Sequence, residues 1–157
     1  MATAERVYID KALVDVADRL VKRQIAGSTE VGGVFAATRE LAAFAAGLGY
    51  RKGHRKAVGE PGREIKLEAL ARLGGGGTDL VEVLAVAVAR SVQILEDDKA
   101  QERATIFEEF MNGGLEHIQG FVNEDEGDVQ AVIRLVRSEM RRYETDAEAV
   151  DLLGARL

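Results

Sequence analysis

Apolar residues recur at intervals of three and four positions along most of this sequence, and clusters of glycine or of acidic residues interrupt the recurrence. The first such stretch runs from Leu13 to Val21, and a second, rich in alanine, runs from about Val34 to Leu48. Intervals of three and four place side chains on one face of an α-helix, so each stretch predicts a helix with one buried side. This pattern restricts the chain to folds built from packed helices.

The middle of the sequence continues the pattern with more variation. A short helix is expected over Ile65 to Leu73, and the glycines from Gly74 to Gly77 end it. The apolar stretch Leu80 to Leu95 is longer than an ordinary strand and predicts a central helix, with a buried strand as the alternative. Helical spacing resumes at Ala100, and the pair Gly113–Gly114 predicts a kink or a junction between two helices.

A last helix is expected after an acidic turn at residues 123–128. Its predicted buried stripe consists of Val129, Val132, Ile133, Val136, Met140 and Tyr143. The sequence signals for a helix are weaker from Thr145 onward, so this tail is expected to fray. Together the patterns predict an all-α fold, a compact single-domain bundle of about five to seven helices over residues 1–157.

The composition agrees with one globular domain and excludes several classes of protein. The chain has 157 residues, enough to bury its own core, and no cysteine, which excludes disulfides and thiol chemistry. The first ten residues lack the apolar segment of an export signal. Glu82 and Arg90 interrupt the most apolar stretch, which is also shorter than the roughly 20 residues that span a membrane. A cytoplasmic protein without a membrane segment is therefore expected.

Charge is distributed unevenly along the chain. The formal net charge is −6, but residues 1–78 carry 13 Lys/Arg against 9 Asp/Glu, whereas residues 79–157 carry 8 against 18. Residues 51–66 alone contain six Lys/Arg and two acids. Such asymmetry says little about the fold but is informative about partners.

The basic residues fall in a stretch that predicts an exposed loop. From about residue 50 to residue 64 apolar periodicity is absent, and glycines and Pro61 favour a mobile surface segment. Arginine forks match phosphate oxygens and an aromatic ring can stack on a base, so the loop predicts contact with nucleic acid. The candidate nucleic-acid-binding residues are Tyr50, Arg51, Lys52, His54, Arg55, Lys56, Arg63 and Lys66.

Other interpretations of this loop stay open. One is that the loop is a solvated basic surface. Another is that it docks on the acidic region from Glu96 to Asp128, which carries eleven acids and two bases. Such docking can occur within one chain, on a protein partner, or between copies in a homo-oligomer. A second, weaker basic row on the last helix consists of Arg134, Arg137 and Arg141.

No catalytic, metal or cofactor site is predicted. His54 and His117 lack the spaced partners of a helical metal site, and Gly74–Gly77 lacks the lysine of a phosphate-binding loop. Adjacent acids such as Glu108–Glu109 do not face each other on a helix and are expected to form a solvated surface. The chain is therefore expected not to be an enzyme; a hydrolase that uses His117 or Glu116 is the remaining alternative.

Two local motifs together resemble a known family. The first is Phe44-Ala-Ala-Gly-Leu-Gly-Tyr50 with the basic stretch after it, and the second is Asn112-Gly-Gly-Leu-Glu116 after an acidic helix. They are similar to Dnd system-associated protein 4, also called DNA phosphorothioation-associated protein 4, over roughly residues 30–122. Family members tend to have Tyr-Ala before the Asn-Gly-Gly, where this chain has Phe110-Met111.

The resemblance implies a small accessory protein of prokaryotic DNA-modification and anti-phage defence systems, in which sulfur replaces a phosphate oxygen of DNA. The resemblance identifies no catalytic residue in this chain. The leading hypothesis is an accessory protein that contacts DNA phosphates through the basic loop. The alternative is a scaffold or regulatory subunit that binds another defence protein through its acidic helices. Its candidate partner-binding residues are Asn112, Gly113, Gly114 and Glu116.

Overall fold

The computed structural model describes residues 6–21, 33–71, 80–122 and 127–154, with side chains of the last range described up to residue 147. The α-helices are α1 (Val14–Leu20), α2 (Thr38–Lys52), α3 (Leu67–Ala71), α4 (Leu80–Ala89), α5 (Ala100–Gln119) and α6 (Asp128–Gly154). The strands are β1 (Arg6–Asp10) and β2 (Pro61–Lys66), and 3-10 turns occupy Lys11–Leu13, Val92–Leu95 and Asp97–Lys99. None of the helices in these ranges is long and apolar enough to cross a membrane.

The prediction of a mostly helical fold is confirmed, but the fold is not purely all-α. Strands β1 and β2 pair antiparallel, with Arg6 opposite Lys66 and Ile9 opposite Arg63. Alternation buries Val7 and Ile9 on β1. Neither strand exceeds six residues, and Pro61 begins β2, a position where a missing N–H is tolerated. Such short strands leave little periodic signal in the sequence.

Several predicted boundaries are corrected by the structure. The loop expected over residues 50–64 is shorter, because α2 continues to Lys52 and β2 begins at Pro61. Gly53, with φ +63°, adopts the left-handed conformation that ends α2. The helix expected from Ile65 starts at Leu67 as α3, and residues 72–79 lie outside the described ranges. The apolar stretch from Leu80 is a helix only to residue 89, after which 3-10 turns follow.

Two further corrections concern the last two long helices. Gly113 and Gly114 lie within α5, which continues without a break from residue 100 to residue 119. Helix α6 continues beyond Thr145, where fraying was expected, to Gly154. The glycine pair therefore serves packing and does not separate two helices.

Helix α5 is the centre of the fold because it packs on α2, α4 and β1. The core around α5 is filled by buried side chains from both strands and from the other helices. The largest fully buried ones are Phe107, Met111, Leu115 and Ile118 of α5, with Ile9, Leu13, Leu20, Leu41, Leu70 and Leu135 from other elements.

The backbones of α2 and α5 approach very closely at glycine. A side-chain carbon on Gly49 would overlap the carbonyl group of Phe110, and one on Gly114 would overlap the carbonyl group of Ala45. Gly113 meets the carbonyl group of His54 in the same way. These three positions have no room for a methyl group, so the crossing of α2 over α5 requires glycine on both helices.

Two side chains of α5 bind the edge of β1 that β2 leaves free. Glu108 Oε2 accepts a hydrogen bond of 2.7 Å from the N–H of Tyr8, and Asn112 Oδ1 accepts one of 2.8 Å from the N–H of Asp10. Asn112 Nδ2 donates to the carbonyl oxygens of Tyr8 and Glu108, both at 2.9 Å. Burial raises the pKa of Glu108, although the Tyr8 N–H partly offsets this. Glu108 and Asn112, one turn apart on α5, thus bind backbone groups of β1 that a third strand would otherwise pair with.

Asn112→Ala is predicted to destabilise the protein by about 2–4 kcal/mol, because it leaves buried backbone groups of β1 without hydrogen-bond partners. Urea unfolding followed by circular dichroism measures this change in the free energy of unfolding. Gln101→Ala, at an exposed position of the same helix, should change it by less than about 0.5 kcal/mol. Equal unfolding midpoints for the two variants would contradict the role assigned to Asn112.

Gly49→Ala is predicted to destabilise the protein by about 1–3 kcal/mol or more, because the added methyl group meets the α5 backbone. Gly47→Ala is the matched control on the same helix: a methyl group there meets no atom within 4 Å. Alanine has the higher helix propensity, so Gly47→Ala should raise stability by up to about 1 kcal/mol. Opposite signs of the two changes in the urea midpoint are expected, and a stabilising Gly49→Ala would refute the close crossing.

Candidate functional site

The C-terminal end of α2 is held to α6 by one carboxylate. Arg51 Nε lies 2.8 Å from Glu139 Oε2, and its Nη2 donates a hydrogen bond of 2.9 Å to the carbonyl oxygen of Glu139. Lys52 pairs with the same carboxylate, and the Arg51 guanidinium lies 6.0 Å from the ring centre of Tyr143. Burial alone would raise the pKa of Glu139, but the hydrogen bonds and charges of Lys52 and Arg51 outweigh it and hold the pKa below its usual value.

The loop of residues 53–60 carries its cations onto acidic side chains of α5. Arg55 Nε donates a hydrogen bond of 2.7 Å to Glu109 Oε2. Lys56 Nζ lies 3.3 Å and His54 Nε2 lies 3.6 Å from the carboxylate oxygens of Glu116. This agrees with the interpretation in which the basic segment docks on the acidic region of its own chain.

The remaining candidate nucleic-acid-binding residues lie on β2 and α2. Arg63 pairs with Asp18 of α1, whereas Lys66 is exposed and forms no ion pair with any residue in the described ranges. Tyr50 is about half exposed, and its ring packs edge-on against Phe110 at 5.7 Å between ring centres. The structure therefore spreads the eight residues over a helix end, a loop and a strand, and five of the six Lys/Arg among them have acidic partners.

Backbone contacts also hold the loop in place. The N–H of Lys56 donates to the carbonyl oxygen of Glu109 at 2.9 Å, and the N–H of Gly59 donates to Asp10 Oδ2 at 2.8 Å. The Gly59 and Ala12 N–H groups lower the pKa of Asp10, although its burial opposes them. The mobile loop expected from the glycines is thus anchored at its middle and at its end.

The predicted partner-binding residues are mostly internal, and their role in binding a partner stays a prediction. Asn112, Gly113 and Gly114 are buried in α5, where they contact β1, the loop and α2. Glu116 is exposed, but it faces His54 and Lys56 of its own chain.

His117 follows Glu116 on α5, and its buried Nε2 forms no hydrogen bond with the described residues. Its ring packs against Phe121 at 5.3 Å between ring centres. Burial lowers the pKa of His117, and the nearby charge of Lys52 lowers it further, while Glu139 acts in the opposite direction. No group of three His, Asp or Glu residues in the described ranges is arranged to hold a metal ion.

An apolar groove of about 490 Å³ lies between α2 and α6. Phe44, Gly47 and Leu48 line it from α2, and Val136 and Met140 line it from α6. The Arg51–Glu139 contact lies at the same groove, so the charged contact that joins the two helices also borders this apolar surface.

The buried stripe predicted for α6 is mostly exposed. Of its members only Val132 is buried, and the face that packs on the protein also includes Ala131 and Leu135. We call the exposed members the α6 stripe: Val129, Ile133, Val136, Met140 and Tyr143. Met140 is 58% and Tyr143 is 65% exposed. Helix α6 therefore has two apolar faces, and only one of them packs on the described part of the protein.

Glu139→Gln is predicted to lower the free energy of unfolding at neutral pH by about 1–3 kcal/mol, because the two cations of α2 lose a charged acceptor. The folded-state pKa of Glu139 lies below its ordinary value of 4.5. Its stabilisation is thus complete above pH 4.5 and is lost as the pH falls through the folded-state pKa. Urea unfolding across this pH range should show wild type and variant converging in acid.

Glu144→Gln is the matched control, since Glu144 is an exposed carboxylate on the same helix. It should change stability by less than about 0.5 kcal/mol at any pH. A constant difference between wild type and Glu139→Gln down to strongly acidic pH would argue against an ionised Glu139 as the contact.

Comparison with known proteins places this chain in a family. The model of the family described as DNA sulphur modification system-associated protein 4 matches residues 15–154. The match extends beyond the stretch from 30 to 122 that the two sequence motifs indicated, and it includes all of α6. No curated protein and no solved structure matches the chain. Since the family model covers most of its 157 residues, the chain belongs to the DNA sulphur modification system-associated protein 4 family.

Proposed function

We propose that this chain is a non-catalytic accessory component of a DNA sulphur modification system that binds another protein of that system through α6 and the groove between α2 and α6. The observation that carries the proposal is the α6 stripe, a continuous row of apolar side chains exposed beside an apolar groove. Single exposed apolar residues are ordinary on protein surfaces, whereas a continuous apolar surface is typical of an interaction site.

The internal ion pairs reduce the support for DNA contact through the basic loop. Each phosphate bound by Arg55 or Lys56 would replace a carboxylate that is already within contact distance. The gain from such an exchange is small, because the glutamate released would lie close to the phosphate and repel it. Membership of the family supports association with the DNA modification system without specifying whether DNA or a protein is bound.

The protein-binding proposal keeps the scaffold hypothesis but moves its surface. The buried Asn112 and its neighbouring glycines supply the packing of the body, and the exposed face of α6 supplies the contact. No charged group needs to leave an existing partner when an apolar surface covers Met140 and Tyr143. Burying large side chains of this kind contributes roughly 1.5–3 kcal/mol each.

The double substitution Val136→Glu with Met140→Glu is predicted to abolish co-purification of the other proteins of the modification system. A tagged chain expressed in its own host, with bound proteins identified by mass spectrometry, measures this. Met140 is 58% and Val136 is 36% exposed. Circular dichroism and the urea midpoint therefore accompany the co-purification, to show that the variant keeps the wild-type fold.

Val83→Glu with Val92→Glu is the matched control, since both valines are exposed and neither lines the groove. This variant should keep the same co-purifying proteins at wild-type yield. Equal recovery with the α6 variant and with wild type would refute the proposed function.

A further inference from the structure

Helix α6 is held to the body of the protein in two different ways. Near its N-terminal end the side chains of Ala131, Val132 and Leu135 are buried. One turn further on, Glu139 joins the helix to α2 through two cations at the end of that helix. The N-terminal end is therefore attached by apolar packing, which a proton does not affect. The part around Glu139 is attached by charge, which a proton can affect.

The carboxylate of Glu139 already binds two cations. Its Oε2 accepts a hydrogen bond of 2.8 Å from Arg51 Nε, and its Oε1 pairs with Lys52 Nζ. The side chain of Glu139 is 12% exposed and that of Lys52 is 15% exposed, so water reaches this contact poorly. Charges interact more strongly where water is excluded. A third cation placed beside this carboxylate therefore competes with the two that α2 supplies.

His117 lies where such a third cation would arise. Its ring is partly buried, and its Nε2 has no hydrogen-bond partner among the described residues. The charged groups that act on it come from three other elements: Lys52 from α2, His54 from the loop, and Glu139 and Arg142 from α6. Lys52, Arg142 and a protonated His54 repel a positive charge on the ring. Among these groups Glu139 attracts it, and Glu139 is the carboxylate that already holds α2.

The neutral and the protonated form of His117 therefore favour different arrangements. Burial lowers the pKa of His117 below its ordinary value of 6.5, and Lys52 lowers it further. Above pH 6.5 a freed ring is neutral as well, so the closed arrangement keeps its full stability. As the pH falls below 6.5 and through the folded-state pKa, any state that frees the ring binds the proton more tightly and gains population. The pKa of Glu139 lies below 4.5, so its carboxylate is still ionised where His117 first takes up protons.

We propose that protonation of His117 separates α6 from α2 at the Glu139 contact and opens the groove between them, with the buried N-terminal end of α6 as the hinge. In the open arrangement the protonated ring reaches water, and more of the apolar lining of the groove is exposed. The crossing of α2 over α5 stays closed, because Gly49 and Gly114 hold it by backbone contact. The inference goes beyond the proposed function, since the isolated chain carries this device without a partner.

The proton uptake can be measured by NMR, because the whole chain contains two histidines. The Cε1–H signals of their imidazole rings are followed on the full chain from about pH 8 to about pH 5. The variant His54→Gln assigns the signals by removing one of them. The His117 signal is expected to titrate with a midpoint below pH 6.5.

The movement of α6 can be measured with pairs of spin labels, because the chain has no cysteine of its own. Arg39→Cys with Ala147→Cys joins exposed positions of α2 and α6, and Arg39→Cys with Gln101→Cys joins exposed positions of α2 and α5. Between about pH 8 and about pH 5, pulsed electron paramagnetic resonance is expected to show the α2–α6 distances becoming longer. The α2–α5 distances should stay the same, which distinguishes opening of the groove from unfolding in acid.

His117→Phe, introduced into the α2–α6 labelled chain, is expected to keep the short distances at both pH values, because its ring takes up no proton. His117→Gln also carries no charge and replaces it if the phenylalanine disturbs the packing seen by circular dichroism. His54→Gln is the matched control, since His54 is the exposed histidine of the chain. It should open in acid as the wild-type background does.

Four results would overturn the inference. One is a His117 signal that titrates at or above pH 6.5. Another is a His117 that titrates below this value while the α2–α6 distances stay unchanged, since the ring then turns into water without moving the helix. The third is lengthening of both labelled distances in acid, which is general unfolding. The fourth is equal opening in acid with and without the imidazole of His117.

Discussion

The fold depends on how α5 satisfies the free edge of β1. An isolated pair of strands is marginally stable in water, and an unpaired edge exposes backbone groups that need partners. Glu108 and Asn112 supply these partners from one face of the helix, since they stand four residues apart. This anchors β1, and Asp10 at its end then receives the N–H of Gly59 and holds the loop. The positions of the loop cations follow from this chain of contacts.

The uneven charge of the sequence is largely an internal complementarity. The positive stretch of the first half lies against carboxylates of α5 and α6, which belong to the acidic second half. Ion pairs at exposed positions contribute little to stability, usually below about 1 kcal/mol each. Glu139 differs from the others, because its side chain is only 12% exposed and it holds two cations. Charge asymmetry along a chain thus indicates which segments attract each other before it indicates an external ligand.

The sequence predicted helices where one apolar face recurs over many residues, as in α2 and in the part of α5 before Gly113. It did not predict β1, whose five residues are held in place by a helix about a hundred positions away. The Gly113–Gly114 pair predicted a kink or a junction between two helices, because glycine disfavours helices locally. Close contact with α2 and the loop makes glycine necessary there. Local propensity carries no information about such contacts.

The candidate surface was missed for a related reason. Periodicity shows which sides of a helix are apolar, but it does not show which of them packs on the body of the protein. On α6 the residues Ala131 and Leu135 define one apolar side and Ile133 and Met140 define another, and only the first is buried. The sequence did contain a signal for this surface: α6 has more apolar positions than a single packed face requires.

The shared carboxylate of Glu139 links the shape of the groove to the electrostatic character of the surface. A ligand that fits between α2 and α6 without moving them leaves Arg51 and Lys52 masked. One that forces the helices apart has to separate these charges first, and would then display two additional cations beside the arginines of α6. The same protein would therefore present a more positive face when its groove is opened than when it is merely filled.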